Sequence, residues 1–175
     1  MAYYSKIKNV DQIIENISNL KNPKGRFDLI NFKTNKIIVD YAHTPESISQ
    51  VIKYVNPYFS KVVVLFGAGG NRDKEKRKLM GTASQLADSV IVTNDNPRNE
   101  DPIQISNDIL KGCDLSKTNV ILDRKEAITS AINELKENSV LLVLGKGHEM
   151  YQEINNSHIP FNDNDFINET IGGLI

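Results

Sequence analysis

The sequence predicts an α/β protein built on a doubly wound, mostly parallel sheet of about six strands, with helices on both faces. Two patterns favour this class. Five short segments are almost continuous runs of Val, Ile and Leu, as expected for parallel strands buried on both faces. Segments with the apolar spacing of helices stand between these runs, and that alternation is typical of doubly wound folds.

The beginning of the chain is predicted to be a helix followed by a break. Val10, Ile13, Ile14, Ile17 and Leu20 fall on one helical face. The next five residues read KNPKG and contain both proline and glycine, which interrupt helices. We therefore expect a boundary after residue 22, with residues 23–175 forming the folded domain.

The predicted strands follow in order, each ending in polar residues. They are Lys36–Tyr41, Lys61–Phe66, Ser89–Thr93, Asn119–Leu122 and Ser139–Gly145. A hairpin is expected around Asn155 and Asn156, which favour a tight turn. This hairpin is expected to add an antiparallel edge strand to the sheet.

The intervening helices have start signals and apolar stripes. Thr44 and Asp101, each followed by proline, are the predicted N-caps of two of them. The apolar faces are expected to consist of Ile48, Val51, Ile52 and Val55; Leu79, Met80, Ala83, Leu86 and Ala87; Ile105, Ile109 and Leu110; Ala127, Ile128, Ala131, Ile132 and Leu135; and Phe166, Ile167, Thr170 and Ile171.

Composition excludes several classes of function. The 21 Lys and Arg residues against 22 Asp and Glu give a net charge of -1, and so no electrostatic argument for a nucleic-acid partner. The single cysteine, Cys113, excludes an internal disulfide and a cysteine-built zinc site, and we expect it to be inert. No apolar run approaches the roughly 18 residues of a membrane span, and the first residues are too polar for a signal peptide. We therefore expect a cytoplasmic protein without a membrane partner.

Polar and glycine-rich segments directly follow four of the predicted strands. In open α/β sheets the carboxyl ends of the strands form the ligand crevice, so these segments are expected to meet there. They bring charges of both signs, which suits a zwitterion such as an amino acid, or an anionic metabolite. The segments are DYAHTP (40–45), GAGGNRDK (67–74), NDNPRNED (94–101) and GKGHE (145–149), and their charged residues include Arg72, Lys74, Arg98 and Lys146 against Asp40, Asp95 and Glu149.

No nucleotide or metal fingerprint is complete, and each segment has a plainer interpretation as a strand-to-helix turn. Arg72 occupies the third glycine position of G-x-G-x-x-G, and the sequence contains no G-x-x-x-x-G-K-[ST]. His43, His148 and Glu149 lack a metal-ligand spacing, so no metal site is predicted. Only five of the 21 basic residues are arginines, which suggests that arginine stands where a planar guanidinium is needed.

Four ordered motifs resemble the C-terminal domain of the Mur ligases, and within that family the members that add meso-diaminopimelate. The motifs are VDYAHTP, FGAGGNRDKEKRKLMG, NDNPRNEDP and GKGHEMYQ, and KGRF at 24–27 is similar to the entry to that domain. The resemblance implies a Rossmann-like Mur ligase C-terminal domain over residues 23–175. It also implies that residues 1–22 are the last helix of the preceding central domain plus a linker. Without the first two domains, the chain alone is expected to be inactive.

The resemblance implies the amino-acid-binding domain of an ATP-dependent ligase of peptidoglycan synthesis. In the family, ATP phosphorylates the D-glutamate carboxylate of UDP-N-acetylmuramoyl-L-Ala-D-Glu, and the amine of the incoming amino acid attacks the acyl phosphate. Mg²⁺ holds the phosphates, and the central domain mainly binds both cofactors. No catalytic residue is expected in this domain. The family's amino-acid contacts match Arg72, Asp95, Asn96, Pro97, Arg98, Gly145 and Glu149, and its ATP contacts match Arg26, Asp40 and His43.

Arg98, in the DNPR motif, is expected to select the incoming amino acid, since lysine-adding members usually lack it. Together with Asn96, its guanidinium is suited to bind the second carboxylate of diaminopimelate. Lanthionine, which has a similar carboxylate, is left as an alternative substrate.

Two other classes of function are also left as alternatives: a stand-alone amino-acid or nucleotide-binding module, and a ligase that adds glutamate to folate. The sequence departs from the family at Asn71, where many members have Asp, and at residues 162–165, where NDND replaces S-D-R-E and an arginine is missing.

Overall fold

A six-stranded sheet with helices on both sides forms the body of the protein, for which the computed structural model describes residues 23–174. A separate two-stranded hairpin lies near the carboxyl end. The elements, in chain order, are β1 (Asp28–Phe32), β2 (Asn35–Asp40), α1 (Pro45–Val55), β3 (Lys61–Phe66), α2 (Glu75–Ser84), β4 (Ser89–Val92), α3 (Pro102–Leu110), β5 (Thr118–Val120), α4 (Arg124–Asn133), β6 (Ser139–Leu144), β7 (Tyr151–Ile154), β8 (Ser157–Pro160) and α5 (Asp163–Gly172).

The strand order in the sheet is β1-β2-β6-β3-β4-β5. Five neighbouring strands, β2, β6, β3, β4 and β5, are parallel to one another, and β1 pairs antiparallel with β2 at one edge. The chain winds outward from β3 to β5 and returns through α4 to β6, which lies between β2 and β3. This order confirms the predicted doubly wound, mostly parallel α/β fold. It also places the carboxyl ends of β2, β3, β4 and β6 side by side.

Two apolar cores lie on opposite faces of the sheet. On one face, side chains of α1, α2 and α3 pack on alternate residues of the central strands, such as Val64 and Leu142. On the other face, α4 and α5 pack on the intervening residues, such as Leu65 and Val143. The central strands are apolar at nearly every position because both of their faces are covered.

Two of the predicted helix starts are confirmed in detail. The Thr44 side chain accepts a hydrogen bond from the Ser47 N–H, and the Ser47 side chain accepts one from the Thr44 N–H, which makes a capping box in front of α1. The Asp101 side chain accepts from the Ile103 N–H and caps α3. The predicted hairpin is also confirmed, since Asn155 and Asn156 form its turn with positive φ angles of 48° and 58°.

Two expectations about the fold are wrong or incomplete. The antiparallel edge strand is β1 and not the carboxyl-terminal hairpin, which forms a sheet of its own. Leu79 and Leu86 do not belong to a buried stripe, because they are 55% and 43% exposed. The inner face of α2 instead buries Arg77 together with Met80.

The helix predicted over Val10–Leu20 lies outside the described residues. None of the helices within residues 23–174 has the length and apolarity that a membrane span requires.

Candidate functional site

A cleft of about 340 Å³ opens at the carboxyl ends of β2, β3, β4 and β6, where the sequence predicts a crevice. All four polar segments contribute to it. Six of the seven predicted amino-acid contacts line it, and Pro97 does not. The lining residues are Tyr41, His43, Gly67, Ala68, Gly69, Arg72, Asp73, Lys76, Arg77, Met80, Asp95, Asn96, Arg98, Gly145 and Glu149.

The glycine loop after β3 is held in place by a buried arginine. Both terminal nitrogens of Arg77 donate to the Glu100 carboxylate at 2.7 Å, and Nη2 also donates to the Gly69 carbonyl. Glu100 in turn accepts from the Asn71 N–H. The hydrogen bonds from Arg77 lower the pKa of Glu100 to about 2. A fixed ion pair therefore joins the glycine loop to the loop after β4.

The backbone of the glycine loop also lies directly against the DNPR segment. The Gly70 N–H donates to the Asn96 carbonyl, and a Cβ at Gly70 would overlap the Pro97 carbonyl. Pro97 is buried and therefore shapes this contact rather than the cleft surface.

Asn96 is the centre of a hydrogen-bonded network below the cleft. Its Oδ1 accepts from the Lys146 Nζ at 3.0 Å and from the Glu153 N–H at 2.9 Å. Its Nδ2 donates to Glu149 Oε2 at 2.8 Å, and the Lys146 Nζ donates to the same oxygen. Because the Asn96 side chain is already engaged in these bonds, it orients Glu149 and Lys146 and does not stand free beside Arg98.

Glu149 carries a negative charge in this network. Burial alone would raise its pKa, but hydrogen bonds from Lys146 and Asn96, together with the charges of Lys146 and Arg98, outweigh burial and lower the pKa of Glu149. Among the described residues only its Oε2 accepts hydrogen bonds, so Oε1 is available to a cationic group in the cleft.

Asp95 adds a second carboxylate beside Gly145. Gly145 has φ +110°, and a Cβ there would collide with Asp95 Oδ2, so only glycine leaves room for this carboxylate. Burial raises the pKa of Asp95, and the charges of Arg124 and Lys146 oppose that rise. The floor of the cleft thus combines two acidic side chains with a fully buried lysine.

Arg124 supports this floor from below. Its fork donates to both oxygens of Asp163 at 2.8 Å, while Nη2 donates to the Leu144 carbonyl and Nη1 to the Asn94 carbonyl. Those carbonyls precede Gly145 and Asp95 in the chain. One buried guanidinium therefore fixes the ends of β6 and β4 relative to each other.

Two arginines, Arg72 and Arg98, face the cleft from its rim. The Arg98 Nη1 donates to the Gly70 carbonyl at 2.9 Å, and its Nε lies 2.8 Å from Glu153 Oε2. Asn71 has φ +54° and sets the direction of the chain into Arg72.

The predicted ATP contacts lie together beside β2 but are engaged differently. The Arg26 guanidinium lies 4.6 Å from the centre of the Tyr41 ring. The His43 Nδ1 is 2.8 Å from the Tyr41 carbonyl, which can only accept, so Nδ1 carries the proton, and Nε2 has no hydrogen-bond partner among the described residues. Asp40 instead accepts from the Phe27 and Ala42 N–H groups and holds the segment leading into β1. Of the three residues, only His43 lines the cleft.

Sequence reasoning missed the supporting residues Arg77, Glu100, Arg124, Asp163 and Glu153. Their partners are distant in sequence, so no local pattern marks them. The scarcity of arginine was a usable signal, because Arg77 and Arg124, two of the five arginines, form the buried ion pairs.

Cys113 is half-buried near the end of α3. Burial raises the pKa of the Cys113 thiol, which makes it a poor nucleophile. In the part of the chain that the structure describes, no group of three or more His, Cys, Asp or Glu side chains is arranged to hold a metal ion.

Comparison with known proteins identifies the family of this chain. The family model described as "Mur ligase, glutamate ligase domain" matches residues 25–147. The chain belongs to the Mur ligase family. It corresponds to the C-terminal domain of such a ligase, and Mur ligases in general are ATP-dependent and use Mg²⁺.

Relatives of this Mur ligase domain carry the name UDP-N-acetylmuramoyl-L-alanyl-D-glutamate–2,6-diaminopimelate ligase. The one from Rickettsia prowazekii (strain Madrid E) is 46% identical over 169 residues, which cover 94% of this chain and 35% of the relative. The one from Aquifex aeolicus (strain VF5) is 44% identical over 156 residues, or 87% of this chain and 32% of the relative. The chain spans about a third of the length of these relatives.

Solved structures agree with this family assignment. A structure of a UDP-N-acetylmuramoyl-L-alanyl-D-glutamate–2,6-diaminopimelate ligase superposes with a TM-score of 0.83 at 36% identity, over 95% of this chain and 35% of that one. A Mycobacterium tuberculosis folylpolyglutamate synthase superposes with a TM-score of 0.64 at 18% identity, over 82% of this chain and 34% of that one. The second likeness shows a shared fold only.

Proposed function

We propose that this chain supplies the amino-acid-binding domain of a cytoplasmic, ATP-dependent ligase that adds meso-diaminopimelate to UDP-N-acetylmuramoyl-L-Ala-D-Glu. The observation that carries the proposal is the charge pattern of the cleft. Two guanidinium groups, Arg72 and Arg98, stand on its rim, and two carboxyl groups, Asp95 and Glu149, stand on its floor. The lining also includes Asp73, Lys76 and Arg77, so the cleft offers charges of both signs, as a ligand with two carboxylates and two amines such as diaminopimelate requires.

Each pair of groups has a separate task in this proposal. The Arg98 guanidinium binds the distal carboxylate, and Arg72 is available for the other carboxylate. Glu149 Oε1 and Asp95 accept hydrogen bonds from an ammonium group and so set the direction of the ligand. The buried Lys146 keeps the floor from becoming a purely anionic surface. The domain thereby orients the attacking amine and leaves the phosphate chemistry to the rest of the enzyme.

Two residues beside β2 suit a nucleotide phosphate. The Arg26 guanidinium packs on the Tyr41 ring, and the His43 Nε2 makes no hydrogen bond within residues 23–174, while the carboxylate of Asp40 already accepts hydrogen bonds from backbone N–H groups. We therefore assign Arg26 and His43 to ATP, and assign Asp40 to holding the entry segment. The chemistry that ATP and Mg²⁺ supply when bound is activation of the acceptor carboxylate by phosphoryl transfer.

The test joins residues 23–175 to the first two domains of the Rickettsia prowazekii relative and measures product by mass spectrometry. Meso-diaminopimelate, lanthionine, L-lysine and L-glutamate are compared as substrates. We expect product with meso-diaminopimelate and little with lysine or glutamate. Product with lanthionine as a substrate is compatible with the proposal. The 175-residue chain alone serves as the control and is expected to release no phosphate above a blank.

A binding measurement on the chain itself distinguishes a wrong proposal from a graft that assembles poorly. Meso-diaminopimelate is titrated into the 175-residue chain, and backbone amide shifts are followed at Asp95, Arg98 and Glu149. Absence of ligation by the graft together with unchanged shifts in the chain contradicts the proposed function. Preferential use of glutamate would assign the chain to the folate-type ligases instead.

A further inference from the structure

Glu153, on the inner strand of the hairpin, makes three separate contacts with the DNPR segment. Its N–H donates to Asn96 Oδ1 at 2.9 Å, and its carbonyl accepts from the Arg98 N–H at 2.9 Å. Its carboxylate lies 2.8 Å from the Arg98 Nε. The first two contacts involve the backbone and persist with any side chain at position 153. Only the third depends on its being glutamate.

Arg98 itself is held in an unusual backbone conformation. Its φ is +54°, a region that side-chain-bearing residues adopt only at a cost. The Arg98 N–H donates to Glu153, and the Arg98 carbonyl accepts from the Asn155 N–H, so the hairpin pairs with this residue on both sides. These bonds fix where the Arg98 side chain begins but not how its guanidinium is turned.

The orientation of the guanidinium follows from which of its nitrogens are occupied. Nε is paired with Glu153, and Nη1 donates to the Gly70 carbonyl. Within residues 23–174, Nη2 donates no hydrogen bond. The Arg98 side chain is about 22% exposed and lines the cleft, so the end of the guanidinium that bears Nη1 and Nη2 remains accessible there.

We propose that Glu153 is a positioning residue for substrate selection. Its carboxylate contacts Nε of the Arg98 guanidinium, so that the edge bearing Nη1 and Nη2 (the end edge) receives a ligand carboxylate. This inference rests on the proposed function, in which that carboxylate is the distal one of a diamino acid. Bidentate recognition requires the plane of the fork to be fixed, and a long arginine side chain has several rotamers to lose. Glu153 removes that freedom before the ligand binds.

The opposite role for Glu153 would be competition with the ligand for Arg98. A carboxylate that occupied the end edge would have to leave before a substrate carboxylate could bind. The observed contact is on Nε and leaves the end edge to the cleft, which favours positioning. The two roles predict opposite effects of removing the charge at position 153.

The first experiment tests the contact without any ligand. The chain has five arginines, so the Nε–H region of a ¹H–¹⁵N spectrum of the 175-residue chain holds few resonances, and Arg98→Lys identifies the one from Arg98. Glu153→Gln keeps both backbone bonds and the side-chain size. We expect it to shift the Arg98 Nε–H resonance and speed its solvent exchange. Glu137→Gln, at the exposed opposite end of the sheet, is the matched control and should leave the resonance unchanged.

The second experiment measures selection in the grafted ligase described above. We expect Glu153→Gln to raise KM for meso-diaminopimelate about tenfold, the size of one lost charge-assisted hydrogen bond, with kcat within about twofold. L-lysine, which has no distal carboxylate, should be affected about twofold or less. In an Arg98→Ala background the same Glu153→Gln change should have no further effect, because Glu153 acts through Arg98.

The outcomes separate this inference from the proposed function. An Arg98 Nε–H resonance that is unchanged in Glu153→Gln overturns the inference whatever the ligase does. A lower KM for meso-diaminopimelate in Glu153→Gln makes Glu153 a competitor and also overturns it, as does an equal loss with lysine. If the unsubstituted graft does not use meso-diaminopimelate and the ligand also leaves the amide shifts of the chain unchanged, the proposed function fails and the selection role fails with it, while the Arg98 Nε–H spectrum still decides whether Glu153 orients Arg98.

Discussion

Arg124 and Asp163 form a two-point ion pair in which both side chains are fully buried, with Nε–Oδ1 and Nη2–Oδ2 distances of 2.8 Å. The pair joins the start of α4 to the start of α5 across 39 residues of sequence. Burial alone would lower the pKa of the Arg124 guanidinium, but Asp163 outweighs it and raises that pKa. The same guanidinium binds two carbonyls at the cleft floor, so the stability of the fold and the shape of the site share one residue.

Asp163→Asn is therefore expected to be strongly destabilising. It leaves the buried Arg124 charge without its counter-charge, and breaking a buried pair from one side costs about 3–5 kcal/mol. The measurement is the free energy of unfolding in urea of the 175-residue chain. Lys136→Met, at an exposed position, is the control and should change it by less than about 0.5 kcal/mol. A cost below about 1 kcal/mol for Asp163→Asn would show that the pair is not important for stability.

Glu100 should make stability depend on pH in the acid range. Its pKa in the folded chain is about 2, against an ordinary value of 4.5, chiefly because of the hydrogen bonds from Arg77. Because folding lowers this pKa, the stabilisation is complete above pH 4.5 and is lost as the pH falls toward 2. Glu100→Gln should cost about 1 kcal/mol at pH 7, a value reduced for solvent screening near the surface.

Urea unfolding of this variant at several pH values tests the sign of the effect. The difference between Glu100→Gln and the unsubstituted chain should shrink steadily below pH 4.5. Glu137→Gln, an exposed glutamate without an ion pair among residues 23–174, should show little difference at any pH. A Glu100→Gln difference that grows on acidification would contradict the assigned pKa shift.

Gly25 lies against the GKGHE loop in a way that no other residue can reproduce. Its φ is +71°, and a Cβ there would overlap the backbone nitrogen of His148 and the carbonyl carbon of Gly147. Gly25→Ala should therefore separate the entry segment from that loop and cost about 1–3 kcal/mol. Hydrogen exchange at the Gly25 and Glu149 N–H groups should accelerate with it. Gly172→Ala, which meets no atom within 4 Å, is the control and should be neutral or slightly stabilising.

The central strands and the site-bearing loops could be predicted from the sequence because both signals are local. Strands β3 and β6 are buried on both faces and so contain almost only apolar residues, and the polar loops follow them directly. The edge strand β1 was missed because only one of its faces is covered, and exposed positions alternate with less exposed ones along it. The stripe predicted for α2 was right for Met80, Ala83 and Ala87 but wrong for Leu79 and Leu86, which are exposed. Arg77, a polar residue that no apolar pattern marks, takes a buried position on this helix instead.

The supporting network of the cleft could not be predicted, because it depends on which distant side chains meet. Asp163 in the tail gave no sign that it binds Arg124. Asn162, its neighbour, caps α5 by accepting from the Asp165 N–H, and Asn164 donates to Asp28. A charged residue on a helix is ordinarily solvated, so burial and pairing become visible only in three dimensions.

Arg98 carries the last prediction, which concerns the choice of amino acid. The structure shows that its guanidinium braces the surrounding loops through Gly70 and Glu153, and the proposal adds that it binds a distal carboxylate. Arg98→Ala removes both roles, so its effect must be compared between substrates.

In the grafted ligase, kcat/KM of the Arg98→Ala variant for meso-diaminopimelate should fall about 30- to 1,000-fold. This corresponds to about 2–4 kcal/mol for a truncated charge pair in a partly closed cleft. For L-lysine the loss should be much smaller, because that substrate has no distal carboxylate and is sensitive only to the bracing. Arg98→Lys keeps the charge but lacks the planar fork, so it should also be impaired with meso-diaminopimelate. Equal losses for the two substrates would assign Arg98 to bracing alone and remove it from the residues that select the amino acid.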